Sequence, residues 1–141
     1  MTTDGLVSTG HSHCLFCGSS NPMSLHLAFA ASEDCGVKAV YTAPPELQGY
    51  DGIVHGGILA SLLDSAMTHC LFHRGVRALT GDLHIRYLQS VPFGVPLEIS
   101  ARVRSSRPPV HLLESEISTG GTIMVRADAK FMECPKKSTC V

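Results

Sequence analysis

"GYDGIVHGGILASLLDSAMTHC", residues 49–70, contains the strongest helix candidate in the chain. A Gly- and Asp-bearing loop gives way at His55-Gly56-Gly57 to an apolar run whose single carboxylate is Asp64. The pattern predicts a helix over residues 57–73, ended by His73, Arg74 and Gly75 in the manner of a C-cap. Projected at about 100° per residue, its apolar side chains cover roughly 200° of arc, wider than a usual core-facing stripe. Such a helix is enclosed, as if a sheet wraps it. The remaining polar strip holds Ser61, Asp64, Ser65 and Thr68 and is either a solvated face or a site.

Outward from the helix, the chain reads as strands. "LHLAFAAS" (25–32) and "GVKAVYTA" (36–43) flank "EDCG", a hairpin with turn chemistry between two strands. "APPELQGYDGIVHGG" is loop by its Pro and Gly content. After the helix the period becomes two. "TGDLHIRYLQS" sets Leu83, Ile85 and Tyr87 on one face and Asp82, His84 and Arg86 on the other. "PLEISARVRSS", "VHLLESEIST", a Gly120-Gly121 turn and "TIMVRADAKFME" complete the pattern. Two strands, one helix, then three or four long antiparallel strands predict an α+β fold with one sheet and one central helix.

The 141 residues fit one domain, 1–141, with residues 1–13 as a loose tail. Hydrophobic residues at 44% and charged residues at 16% predict a folded globular chain. A formal net charge of −1 carries no electrostatic footprint for nucleic acid or an anionic membrane. Neither a bilayer-spanning run nor a signal-peptide core is seen, so a cytoplasmic location is expected. In that compartment Cys14, Cys17, Cys35, Cys70, Cys134 and Cys140 read as free thiols or metal ligands, with Cys70 a small buried hydrophobe. "CLFCGSS" and the closing "CPKKSTC" could together offer four thiolates to zinc, although the second spacing is unusual for a knuckle. No metal is assigned.

The start of the helix carries the chemistry. Its first amides have no internal partners and point outward at the positive end of the helix dipole. Glycines there let a carbonyl oxygen approach, which suits the charge that develops in acyl transfer. The plainer reading is that Gly56 and Gly57 only permit a tight turn into the helix. Asp64 lies seven residues beyond Gly57, or roughly 10 Å along the axis. One helix cannot easily bring its own acid to a substrate gripped by its own N-terminus. Two antiparallel copies can, which predicts a site at a dimer interface.

"GIVHGGILASLLDSAM" followed by "LTGDLHIRYLQSVPFG" resembles the hot-dog-fold acyl-CoA thioesterases, in the PaaI-like branch related to 4-hydroxybenzoyl-CoA thioesterase. The resemblance runs from about residue 14 to residue 132: His-Gly-Gly, an acid nine residues after the His, and a Thr sixteen residues after the acid. It implies a five- or six-stranded antiparallel sheet around a long helix, in a homodimer or a tetramer of dimers, with no cofactor. By the same resemblance, the amides of Gly56 and Gly57 polarise the thioester carbonyl. Asp64 of the other subunit is general base or nucleophile, and Thr80 hydrogen-bonds Asp64 or the attacking water. His55 orients the loop. Arg86 and Arg107 fall where the family contacts CoA, or are solvated strand residues. Some relatives carry Asn six residues before the His; here that position is Gly49, and the role either passes to the neighbouring Gln48 or is absent. Relatives with a "CxxCG…NPxGLHL" opening use it as a lead-in to the first strand. The lack of a G-x-S-x-G elbow excludes the usual serine-hydrolase arrangement. The rival reading is a non-catalytic acyl-CoA-binding sensor or scaffold.

Overall fold

The helix α1 (Gly56–Phe72) is bounded by its flanking chemistry. His55 takes the N-cap position, with its side chain accepting the Gly57 amide. At the other end Gly75, at φ +72°, supplies the left-handed residue that turns the chain out. The Gly75 and Val76 amides then satisfy the carbonyls of Phe72 and Leu71. The coordinates are a computed structural model describing residues 10–134.

Six strands form one antiparallel sheet in the order β1-β2-β4-β5-β6-β3. They are β1 (Ala30–Ala31), β2 (Val37–Thr42), β3 (Ala78–Tyr87), β4 (Pro96–Arg107), β5 (Val110–Thr119) and β6 (Thr122–Glu133). Gly120 and Gly121 both hold positive φ, as a two-residue hairpin turn between right-twisted strands demands. Alternation along β4, β5 and β6 buries Leu97, Ile99, Leu113, Ile117, Val125 and Phe131 beneath the helix. Leu59, Leu62, Leu63, Ala66, Met67 and Leu71 meet them from above, and Cys70 is buried among them as expected. Each large side chain so buried contributes about 1.5–3 kcal/mol relative to exposure. Ala101, Ser115, Ala127 and Ala129 keep the facing strands small, and Ser115 Oγ donates to the Leu63 carbonyl at 3.3 Å. The expected α+β plan, with a sheet curved around one helix, is therefore present.

Three local expectations are corrected. Residues 25–32 do not form a long strand, because the Leu25 and Leu27 amides are drawn to the carbonyls of Leu15 and Phe16. His26 between them has φ +53°, and pairing with β2 survives only at Ala30 and Ala31. Residues 10–13, expected to be loose, enter an ordered turn in which the His11 carbonyl accepts the Cys14 amide; residues 1–9 lie outside the described region. Cys134, expected as a free thiol or ligand, is disulfide-bonded, whereas Cys14, Cys17, Cys35 and Cys70 are free; Cys140 lies outside the described residues. Among the described residues no helix is long and apolar enough to cross a membrane.

Candidate active site

His55, Gly56 and Gly57 lie where the loop enters α1, beside a cleft of about 510 Å³ lined by Gln48, Gly49, Tyr50, Ile53, His55 and Gly56. The two glycines do different work. The Gly57 amide donates to His55 Nδ1 at 2.8 Å, so in the neutral ring the proton sits on Nε2. A Cβ on Gly57 would lie 3.1 Å from that Nδ1, so the missing side chain makes room for the imidazole, where an approaching ligand was expected. The Gly56 amide has no acceptor among the described residues and is the donor left open to a ligand. Its carbonyl is fixed from the other side by the Tyr87 hydroxyl, which donates to it at 2.8 Å. Tyr87 was not singled out as a site residue. Its signal was a hydroxyl at the end of the otherwise apolar Leu83–Ile85–Tyr87 face.

Asp64 and Thr80 meet directly: Thr80 Oγ1 donates to Asp64 Oδ1 at 2.6 Å. Straight alternation back from Asp82 would turn Thr80 to the outer face. A β-bulge between Thr80 and Asp82 reverses this. Thr80 stands opposite Phe131, which is buried inward, while Asp82 stands opposite the exposed Lys130. Gly81 sits at the bulge, where a Cβ would lie 3.4 Å from the Lys130 carbonyl oxygen. The neighbouring hydroxyls of the strip fold back on the helix, Ser61 to the Gly57 carbonyl and Thr68 to that of Asp64. Asp64 is half-buried, and its Oδ2 accepts no hydrogen bond among the described residues. A carboxylate held by one oxygen with the other open can take a proton from water or attack a carbonyl.

The remaining predicted residues lie elsewhere. Gln48 closes its own loop, donating to the Pro45 carbonyl and accepting from the Gly52 amide, both at 2.7 Å. The neighbouring position can hold no side chain freely, since a Cβ on Gly49 would lie 3.2 Å from the His55 Cα. Arg86 lines an open groove on the outer face of the sheet with Arg126, Glu98 and Asp128, on the side away from α1. Arg107 pairs with Val110, at the end of the sheet opposite Tyr87 and Gly56. Within one chain neither arginine is brought to Asp64. Further along α1, His69 stacks on Phe29 at 4.9 Å. Burial, then the nearby imidazoles of His11 and His73, lower its pKa to about 4.

The thioesterase superfamily model matches residues 51–125, a span from the loop before His55 through Thr80 and into β6. A solved structure described as a thioesterase superfamily protein has a TM-score of 0.81 at 24% identity, covering 90% of this chain and 69% of that one. The PaaI protein from the phenylacetic acid degradation operon of E. coli has a TM-score of 0.73 at 20% identity, over 79% of this chain and 81% of that one. A hypothetical thioesterase protein with coenzyme A from Streptococcus pneumoniae has a TM-score of 0.72 at 18% identity, over 79% and 91% of the two chains. These likenesses establish the hot-dog fold for the sheet and helix described above.

Proposed function

This chain belongs to the thioesterase superfamily, and we propose that it hydrolyses an acyl-CoA, or a related acyl thioester, to the free acid and thiol. The observation that carries the reading is the Thr80–Asp64 hydrogen bond of 2.6 Å, which holds one carboxylate oxygen and leaves the other open. The thioester carbonyl oxygen accepts from the Gly56 amide at the helix N-terminus, where developing negative charge is stabilised. Asp64 then removes a proton from the attacking water, or itself attacks to give an acyl-carboxylate that water resolves. In either route the C–S bond breaks, the thiolate leaves and takes up a proton, and the carboxylate is regenerated.

His55 positions the carbonyl site without taking protons: its Nδ1 holds the Gly57 amide and so fixes the entry into α1. Tyr87 assists by fixing the Gly56 carbonyl, and with it the direction of the peptide that follows. The acid and the amide are too far apart along one rigid helix, roughly 12 Å by rise alone, to act on one carbonyl. The working unit is therefore a homodimer, alone or within a tetramer of dimers, in which Asp64 of one subunit faces Gly56 of the other. Among the described residues β3 is an edge strand, paired only with β6, and offers a ladder across which two copies can join. The coenzyme A in the Streptococcus pneumoniae structure supports CoA as the thiol portion. Arg86 and Arg107 enter the proposal as guanidinium contacts to CoA phosphates, remote from the carbonyl.

The test is thiol release from a panel of short, medium, long and aryl acyl-CoAs, without added metal. Turnover of at least one member, lost in Asp64→Asn, is the expected result. Measurable acyl-CoA binding with no turnover anywhere in the panel would replace the enzyme with a sensor.

A further inference from the structure

Outside the carbonyl site, a second cluster of reactive side chains lies in the turn that precedes the first strand. We propose that His11, Cys14 and Cys17 form a binding site for one zinc ion, separate from the Asp64–Thr80 pair. One donor atom from each of the three residues lies within 4.8 Å of the others, and His11 Nδ1 is 3.4 Å from Cys17 Sγ. Around a tetrahedral zinc, with bonds of about 2.3 Å to sulfur and 2.0 Å to nitrogen, donor atoms stand roughly 3.5–3.8 Å apart. The cluster therefore needs only a small closure to surround an ion. Two thiolates and an imidazole are a borderline-soft set that suits zinc and disfavours calcium or magnesium. Water takes the fourth position.

The backbone is arranged around the sulfurs. The Phe16 amide points at Cys14 Sγ at 3.4 Å, which stabilises a metal-bound thiolate. The Cys14 amide donates to the His11 carbonyl at 3.0 Å and the Gly18 amide to the Cys14 carbonyl at 2.9 Å, so one tight turn carries all three ligands. Gly18 is the residue that allows it: a Cβ there would lie 2.5 Å from the Cys14 nitrogen and 2.6 Å from the Ser12 carbonyl oxygen. Both thiols are free and half-buried.

The surrounding fold also yields to this turn. The Leu25 and Leu27 amides bond to the Leu15 and Phe16 carbonyls, which lie between the two cysteines. Those bonds replace the sheet pairing that residues 25–29 would otherwise make, so the first strand is shortened to two residues. A turn that holds two thiols and an imidazole on one side, and is fastened to the fold on the other, is what a structural ion would lock.

The test uses the intact chain, purified without chelator and dialysed against metal-free buffer. Elemental analysis should find about one zinc per chain. Replacement by cobalt(II) should give thiolate-to-metal charge-transfer absorption in the near ultraviolet together with the intense visible bands of a tetrahedral site. Cys17→Ser and His11→Ala should each lower bound metal by about tenfold or more at matched free zinc, while Cys35→Ser leaves it unchanged. Wild-type chain should lose thermal stability on chelation. The proposal is overturned if folded wild-type protein, supplemented with zinc, retains less than about one ion per ten chains. A cobalt complex lacking the thiolate band, zinc that persists in Cys17→Ser, or a Cys14–Cys17 disulfide in place of the ion would each overturn it as well. The cobalt arm is read on folded wild type, so a variant that fails to fold does not shield the proposal.

Discussion

Among the described residues, the Ser106–His111–Glu133 cluster and the Asp64–Thr80 pair both have residue types that could support hydrolysis, and of these two the Asp64–Thr80 pair is left open. At the β4–β5 hairpin, Ser106 Oγ lies 2.7 Å from His111 Nδ1, and His111 Nε2 lies 2.9 Å from Glu133 Oε2. By composition this is the Ser–His–acid set of a hydrolase. His111 is 3% exposed, both of its ring nitrogens are engaged, and the helix start lies at the other end of the sheet beside Tyr87. The set is closed on itself and ties the hairpin to β6. Among the described residues Asp64 has one hydrogen-bond partner, Thr80, and its second oxygen is left open on a half-buried strip. What separates the two clusters is unspent hydrogen-bonding capacity beside an available amide. Residue type does not distinguish them.

The sharpest way to break that contrast is to remove one reacting group from each cluster. Asp64→Asn keeps the volume and removes the base or nucleophile, so kcat should fall by about a hundredfold or more. Its thermal unfolding should stay close to wild type, because a half-buried acid with one neutral partner adds little net stability. Ser106→Ala should leave kcat within about twofold, since a hydroxyl that serves only the hairpin has no part in the reacting set. If Ser106→Ala loses activity while Asp64→Asn keeps it, the assignments are reversed and the hairpin is the catalytic centre.

His111 probes the same contrast through stability. His111→Ala strands Ser106 and Glu133 and opens a buried gap, so urea unfolding should show a loss of about 1–3 kcal/mol. The kcat per folded molecule should be unchanged. A catalytic role for His111 would instead lower kcat while leaving the unfolding midpoint in place.

The sequence foretold the larger elements and missed the places where one residue changes direction. The helix was legible because its apolar arc and Gly75 stop are local patterns, and the β5–β6 hairpin because Gly-Gly demands a tight turn. The bulge at Gly81 was not legible, since period-two alternation assumes an unbroken ladder. Yet that bulge is what aims Thr80 at Asp64. The division of labour between Gly56 and Gly57 was hidden for a similar reason. Both read as glycines without a Cβ, and only the fold shows that the imidazole of His55 fills the space at one of them. The shortened first strand depends on hydrogen bonds to Leu15 and Phe16, about ten residues upstream, which no local propensity encodes.

Thr80 tests how much of the Asp64 site is positioning. Thr80→Ala removes one neutral donor to a carboxylate and leaves the reacting oxygen in place, so kcat should fall by roughly tenfold. Thr80→Ser, which keeps the hydroxyl, should restore most of it. If alanine and serine are equally poor, the methyl group of Thr80 matters and the hydrogen bond does not.

The smallest effect separates a site built by two chains from one built within a single chain. Asp64 and the Gly56 amide stand two turns apart on α1, and a rigid helix cannot close that gap. Gly56→Val is expected to crowd the open amide, because its Cβ would lie 3.6 Å from the Tyr87 ring, and the added methyls have to go either toward the ring or over the donor. Asp64→Asn and Gly56→Val homodimers should each be nearly inactive. When the two chains are unfolded and refolded together, random pairing makes about half the dimers mixed, and each mixed dimer holds one site with both lesions and one with neither. Activity should then recover to roughly a quarter of wild type, provided the two sites turn over independently. If verified mixed dimers recover nothing, the amide and the acid serve the same chain. The distance along α1 would then have to be bridged by motion of the helix start, with the Tyr87–Gly56 hydrogen bond as the first contact to break.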